Sequence, residues 1–212
     1  MTGADRIADA ISRGLGQAAL RIGEEYDLFR PESAELPLDP EWRILRLSCA
    51  FSAGMPGFKR QPMPGKPHWY GVFDAAYVQV GDYLRGRQGT FFVASVGGLV
   101  EPLVVRCDKS LDLVRAEEQP AGGLEEYGGE TRWTLRSLLR GWPASVLANG
   151  AAPRGELPAD GAGATWRVSL PVLPVAPRVA GLLIAEDGTR LVVATAEGTA
   201  EGWRLLARQA EA

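Results

Sequence analysis

Gly181-Leu182-Leu183-Ile184-Ala185-Glu186-Asp187-Gly188-Thr189-Arg190-Leu191-Val192-Val193-Ala194-Thr195 is the stretch that decides the fold class. Two apolar runs of strand length flank a turn. In Asp187-Gly188 both central residues tolerate positive φ, so the stretch predicts a β-hairpin closed by a type I′ turn. The same order of features stands in the first half of the chain. There Gly81-Asp82-Tyr83-Leu84 precedes Gly89-Thr90-Phe91-Phe92-Val93-Ala94-Ser95, and Arg87-Gln88-Gly89 suits a slightly longer turn ending in a glycine bulge. Each half therefore carries a strand-turn-strand unit. The fold expected is mainly β: two small antiparallel β modules, barrel or sandwich-like.

Outward from these hairpins, further strands are read at 43–47, 68–73, 77–80, 103–114, 131–135, 166–170 and 203–206. Two breaks rich in Gly and Pro interrupt them. Ser52 to Pro67 holds four prolines and three glycines, a composition that cannot continue a strand ladder and belongs at a surface or an interface. Ala116 to Glu130, with Pro120, Gly122-Gly123 and Gly128-Gly129, is taken as the boundary between modules. Only the N-terminus has a helical period: Ile7, Ile11, Leu15, Ala18, Ala19 and Ile22 recur at spacings of three and four, and Gly23 stops the run as a C′ residue. Gly14 and Gly16 each cost that helix about 1 kcal/mol against Ala unless a neighbouring backbone needs the room. The expected organisation is residues 1–30 as an N-terminal α-helical arm with an extended lead-in, 31–118 as the first module and 119–212 as the second.

Composition narrows the function classes. The 212 residues are 46% hydrophobic and 23% charged, with 26 Gly and 15 Pro, as in a folded, loop-rich β protein. The net charge of -3 arises from 23 basic and 26 acidic residues scattered along the chain, so no direct nucleic-acid binding is expected. No run approaches about 18 apolar residues, and the start, with Asp5 and Asp9, lacks the apolar core of a signal peptide. No membrane partner is expected. Cys49 and Cys107 stand alone, which suggests a reducing compartment and two small buried hydrophobes.

The constellations that could carry chemistry are weak. Gly14-Leu15-Gly16-Gln17-Ala18-Ala19 has the letters of a dinucleotide fingerprint, but the glycines lie inside a helix with no strand before them. Ala50-Phe51-Ser52-Ala53-Gly54 is a degenerate nucleophile elbow whose only histidine, His68, follows with no acid between. Cys49, His68 and Cys107 lack the close spacing of a zinc site. Asp74, Asp82, Asp108 and Asp112 read as turn and solvent-face residues. The six tryptophans, Trp42, Trp69, Trp133, Trp142, Trp166 and Trp203, mostly follow strand patterns and read as core or interface, with Trp142 expected at an interface. No catalytic residue, no cofactor and no metal ligand is assigned.

Several stretches resemble a family of uncharacterised proteins encoded in tailed phages and prophages of proteobacteria. They are Tyr26-Asp27-Leu28-Phe29-Arg30-Pro31, Trp69 to Tyr77 with Val80 to Leu84, Gly89 to Ala94, Val104-Val105-Arg106-Cys107, Gly141 to Leu147 and Gly202-Trp203-Arg204-Leu205. The resemblance implies a non-enzymatic virion structural protein of the head-to-tail connector or the tail and baseplate region. It would be assembled in the bacterial host cytoplasm by contacts with itself, in a cyclic homo-oligomer, and with other phage connector or tail proteins. Two rival readings are a tail module that binds host-surface glycan or receptor, stacking it on Trp69 and Trp142, and a cell-wall enzyme using an acid pair among the four aspartates.

Overall fold

The structure, a computed structural model, describes residues 3–53, 67–97, 100–118, 133–149 and 164–210. Helix α1 (Gly3–Ile22) is followed by β1 (Glu24–Phe29), β2 (Arg43–Ser52), β3 (His68–Val72), β4 (Tyr83–Gly86), β5 (Gly89–Ser95) and β6 (Leu103–Cys107). These six strands close into an antiparallel barrel in the order β1-β2-β3-β6-β5-β4. The chain then continues through β7 (Lys109–Glu118), β8 (Trp133–Ala148), β9 (Thr165–Leu170), β10 (Leu182–Ala185), β11 (Arg190–Thr199) and β12 (Gly202–Gln209). They form a second closed antiparallel barrel, ordered β10-β11-β12-β9-β8-β7. The fold is therefore two six-stranded antiparallel barrels preceded by one helix, and closure leaves neither sheet with a free edge.

The first barrel is filled by Tyr26, Leu28, Cys49, Phe73, Leu84, Phe91, Val93 and Val104. Phe51 stacks on Phe91 at 4.2 Å and takes the edge of Tyr26 at 5.0 Å. Tyr26 lies opposite Gly86 across the β1–β4 pair, and a Cβ at Gly86 would come within 2.6 Å of its ring. Glycine there lets the ring cover the neighbouring strand. Leu111, Leu113, Leu139, Val168, Leu183, Leu191, Val193 and Leu205 belong to the core of the second barrel.

Several expectations need correction. The segment 26–29 is no lead-in: it is most of β1, paired with both β2 and β4, and it closes the first barrel. The helix is no free arm either. It packs on the first barrel with Ala19 fully buried and with Gly16 so close to Asp74 that a Cβ would stand 3.0 Å from the aspartate's own Cβ. Gly23 ends the helix without a left-handed φ; it is required because Cys49 O lies 2.7 Å from where a Cβ would be. The apparent single strand at 103–114 is two strands, one in each barrel, and Asp108 sits between them. The divide between barrels thus falls at Asp108, because Lys109–Glu118 finds its partners in β8 and β10. Of the Gly/Pro-rich stretch 116–130, the first residues belong to β7 and 119–130 lie outside the described residues. The 52–67 loop likewise falls outside them from 54 to 66. The strand expected at 77–80 is a single 3-10 turn, Ala75–Tyr77, leading into an irregular segment.

The hairpins themselves are present but closed differently. In β10–β11 only Gly188 takes positive φ, at 82°, and Ala185 N donates to Thr189 O across the turn. That is a three-residue loop ending in a glycine bulge, and Asp187 steadies it by accepting from Thr189 N. In β4–β5, Gly86 pairs with Gly89, leaving Arg87-Gln88 as a two-residue loop with Gly89 at φ 121°.

Candidate functional site

The most constrained region is the seam between the barrels. Phe91 to Ala94 of β5 and Trp142 to Val146 of β8 are buried without interruption, so both faces of these strands are covered. Alternate residues serve two purposes: Phe91 and Val93 fill the first barrel, while Phe92 and Ala94 join Tyr83 and Val105 in the core of the second. Two-sided burial is why these stretches read as continuous apolar runs rather than as alternating ones.

The seam is pinned by polar contacts. Tyr83 donates its hydroxyl to Pro143 O at 2.8 Å, and its ring meets Trp142 edge-on at 6.1 Å. The connection from β1 to β2, residues 30–42, crosses to the second barrel as a strap. Leu36 N donates to Arg140 O at 2.9 Å, Arg140 N to Ala34 O at 3.0 Å, and Trp142 Nε1 to Ala34 O at 2.8 Å. β8 can reach both places because it bends at Gly141, where φ is 70° and the backbone N–H donates to Asp112 Oδ1 at 2.7 Å.

The four candidate acids are all engaged with backbone. Asp74 caps the 3-10 turn through Ala76 N at 3.1 Å. Asp108 accepts from Val146 N at 2.6 Å, and Asp112 from Gly141 N as above. Asp82, only 2% exposed, receives two bonds from Arg30, at 2.9 and 2.8 Å, and one from Gln79 N at 2.8 Å. Those bonds place structural demands on every carboxylate that the cell-wall reading would use.

The remaining candidates are dispersed. Gly14 and Gly16 lie within α1 with no strand before them, so no dinucleotide turn is formed. Ser52 ends β2 opposite Tyr70, and His68 starts β3 opposite Val105. Cys49 is buried in the first barrel, which pushes its thiol up to about 12; burial also pushes the Cys107 thiol up, with the charge of Asp108 adding to it. No three metal-ligating side chains converge among the described residues. No helix among them is long and apolar enough to cross a membrane. Of the tryptophans whose side chains are described, none is fully exposed. Trp142 is 1% exposed, so its interface is internal, and Trp69 is half-buried with Arg106 over its ring at 5.6 Å. Trp142 therefore cannot serve as a stacking platform for glycan.

Beside the seam runs a groove that sequence reading missed. Concavities of about 430, 250 and 380 Å3 follow one another along the strap, all touching Leu38. Its first-barrel wall carries Arg43 and Arg85 beside Asp27, and Asp39, Asp108, Lys109 and Glu186 line the rest of it. Asp27 of β1 stands opposite Arg46 of β2 and Arg85 of β4. Arg46 Nε donates to Asp27 at 3.0 Å, Arg43 lies 3.7 Å away, and Glu25 is 3.3 Å from Arg46. These carboxylates hold the Arg46 guanidinium above its ordinary pKa, the bond from Asp27 most of all. Arg85, which lines two of the concavities, forms no ion pair with any described residue. Positions 43, 46 and 85 become neighbours only through strand register, and no spacing in the sequence announces them. Comparison with protein-family models, with curated proteins and with solved structures returned no significant match.

Proposed function

We propose that the protein is a non-enzymatic structural subunit of a tailed bacteriophage or prophage particle, in the head-to-tail connector or the tail and baseplate region, and that it works by protein-protein contact. The observation that carries this reading is the seam: strands buried on both faces, with a strap hydrogen-bonded across them, join the two barrels into one stiff body. A rigid body with two non-equivalent ends suits repeated contacts in a closed ring. Support also comes from the polar groups that could have formed an acid pair, since Asp74, Asp82, Asp108 and Asp112 hold backbone and strap instead. The sequence resemblance set out above points the same way.

The test is mass spectrometry of purified particles from a strain carrying the gene, alongside light scattering on the isolated chain. The expected result is recovery of the chain at several copies per particle and a multimer in solution. Absence from particles together with a strictly monomeric chain would refute the reading.

A further inference from the structure

We propose that neighbouring copies join head to tail, the outer face of β10 and β11 of one copy receiving the exposed apolar stripe of helix α1 of the next. The inference rests on the assembly reading above and names the contact that would carry it.

The two barrels repeat one plan. Around the closure, β1-β2-β3-β6-β5-β4 corresponds strand for strand to β7-β8-β9-β12-β11-β10. Register agrees as well: Tyr83 pairs with Phe92 and Phe29, as Leu182 pairs with Val192 and Val114. Both β5 and β11 are irregular at the same place, between Val93 and Ser95 and between Val193 and Thr195. The approach to each hairpin is tied in the same way. Gly81 N donates to Val93 O and Val93 N to Asp82 O in one barrel, and Ala180 N to Val193 O and Val193 N to Gly181 O in the other, all at 2.9 Å. Trp69 and Trp166 also correspond, since they lie opposite Val104 and Ala207, the partners of Val93 and Val193.

Corresponding faces nevertheless differ in burial. In the first barrel the outward residues Tyr83, Phe92, Ala94 and Val105 are at most 2% exposed, because they lie against the second barrel. There the outward side of β8 and β9 is buried at Pro143, Ser145 and Ser169, and Pro143 O accepts from the Tyr83 hydroxyl. The counterparts of those four residues in the second barrel are Leu182, Val192, Ala194 and Arg208. Val192 and Arg208 are exposed and Leu182 and Ala194 half-buried, with Val179 exposed beside them. The outer side of a solvated antiparallel sheet is ordinarily polar, so this row of Leu, Val and Ala is a seam face without its partner.

The order of layers says what arrives there. On the second barrel, β8 and β9 receive the first barrel; on the first barrel, the corresponding strands β2 and β3 receive α1. In each closure these strands lie opposite the pair β4 and β5, or β10 and β11. The chain is thus a stack of α1, first barrel and second barrel. Its own helix is on the far side of both barrels from β10 and β11, and continuing the stack brings up the α1 of another copy. That helix keeps an apolar stripe for the contact. Ile7, Ile11, Ala18 and Ile22 share one side of it, spanning roughly 22 Å at 1.5 Å per residue, next to the side that buries Ala19. Ile11 and Ala18 are half-buried, while Ile7 and Ile22 are exposed. Helix stripe and strand face are different surfaces, so the contact is heterologous, and repetition closes a ring when the rotation between copies allows.

The experiment uses the full chain and sedimentation velocity across a concentration series, with V192K on the strand face and I22K on the helix. Each variant alone is expected to weaken self-association by about 10-fold or more, since an ammonium group is drawn out of water into an apolar contact. An equimolar mixture of the two should form a one-to-one dimer and nothing larger. The intact helix of the first variant still meets the intact strand face of the second, while the two altered surfaces cannot pair. Circular dichroism checks that each variant is folded; V179K and I7K replace V192K and I22K if either is not. A wild-type multimer that neither variant weakens would overturn this contact while leaving a particle protein intact. A multimer weakened by only one of the two, or a mixture that gives no dimer, overturns the pairing of these surfaces in the same way. A wild-type chain that stays monomeric overturns it too. The assembly reading itself falls only if the chain is also absent from particles.

Discussion

Replacing Trp142 by alanine tests the claim that the seam makes one body of two barrels. The indole is 1% exposed, packs edge-on to Tyr83 at 6.1 Å and donates to Ala34 O at 2.8 Å. Truncating a buried Trp costs about 3–5 kcal/mol in lost burial and cavity. The lost hydrogen bond adds about 1 kcal/mol rather than the full penalty of an orphaned carbonyl, because Ala34 O still accepts from Arg140 N at 3.0 Å. The sum, about 4–6 kcal/mol, compares with a total of about 5–15 kcal/mol for an ordinary domain. W142A should therefore remove a large fraction of the chain's stability. W142F keeps most of the apolar volume and forfeits the bond, at about 2 kcal/mol. Equilibrium urea unfolding followed by far-UV circular dichroism reads both values. Wild type should unfold in one transition, and W142A should split it as the barrels lose their common core. A cost for W142A under about 2 kcal/mol, or equal costs for W142A and W142F, would refute the assignment of seam stability to packing around this side chain.

Three further outcomes follow from the same structure. Asp82→Asn removes the charge opposite Arg30 and turns an amide against donors that now point at carboxylate oxygens, while the 28% exposure of Arg30 lets water relieve part of the loss; urea unfolding should show a cost of about 2–3 kcal/mol. Gly14→Ala should stabilise by about 1 kcal/mol, since nothing lies within 4 Å of the added Cβ, whereas Gly16→Ala should gain nothing or destabilise because Asp74 stands 3.0 Å away; thermal melts of the two variants should separate in sign. The Cys49 thiol, raised to about 12 by burial from about 8.5 in an open chain, adds stability that is full below the open-chain value and lost as pH climbs towards the folded one. Urea unfolding between pH 8 and 11 should therefore show falling stability, and C49A should make the slope shallower; part of the slope should persist, because burial also raises the Cys107 thiol and the Tyr26 and Tyr83 hydroxyls.

How much was legible in the sequence differs from element to element. The helix could be read because Ile11, Leu15 and Ala19 repeat at its own period, yet Ile7 and Ile22 remain 54% and 69% exposed, since the barrel wall meets the side of Ala19 and Gly16 rather than the most apolar stripe. Gly14 and Gly16 look alike in the chain and differ entirely in the fold. One faces open space and the other lies against Asp74. The arginines of the groove had no sequence signal at all: Arg85 comes beside Asp27 only because β1 and β4 close the first barrel.

What the sequence by itself determined was composition-level and local: a β-rich chain, a hairpin in each half, one N-terminal helix, and turns wherever glycine could take positive φ. These depend on periodicity and on the chemistry of single residues, which act over a few positions. Only the tertiary structure decided that Lys109–Glu118 belongs to the second barrel, that 26–29 closes the first, and that Trp142 is shared between them. Those outcomes depend on which strand each edge finds, on both faces of β5 and β8 being covered, and on a strap crossing from one barrel to the other. Glycine and proline mark where a strand must end. They do not say with which partner the next one pairs, so the boundary moved to Asp108 once pairing was known.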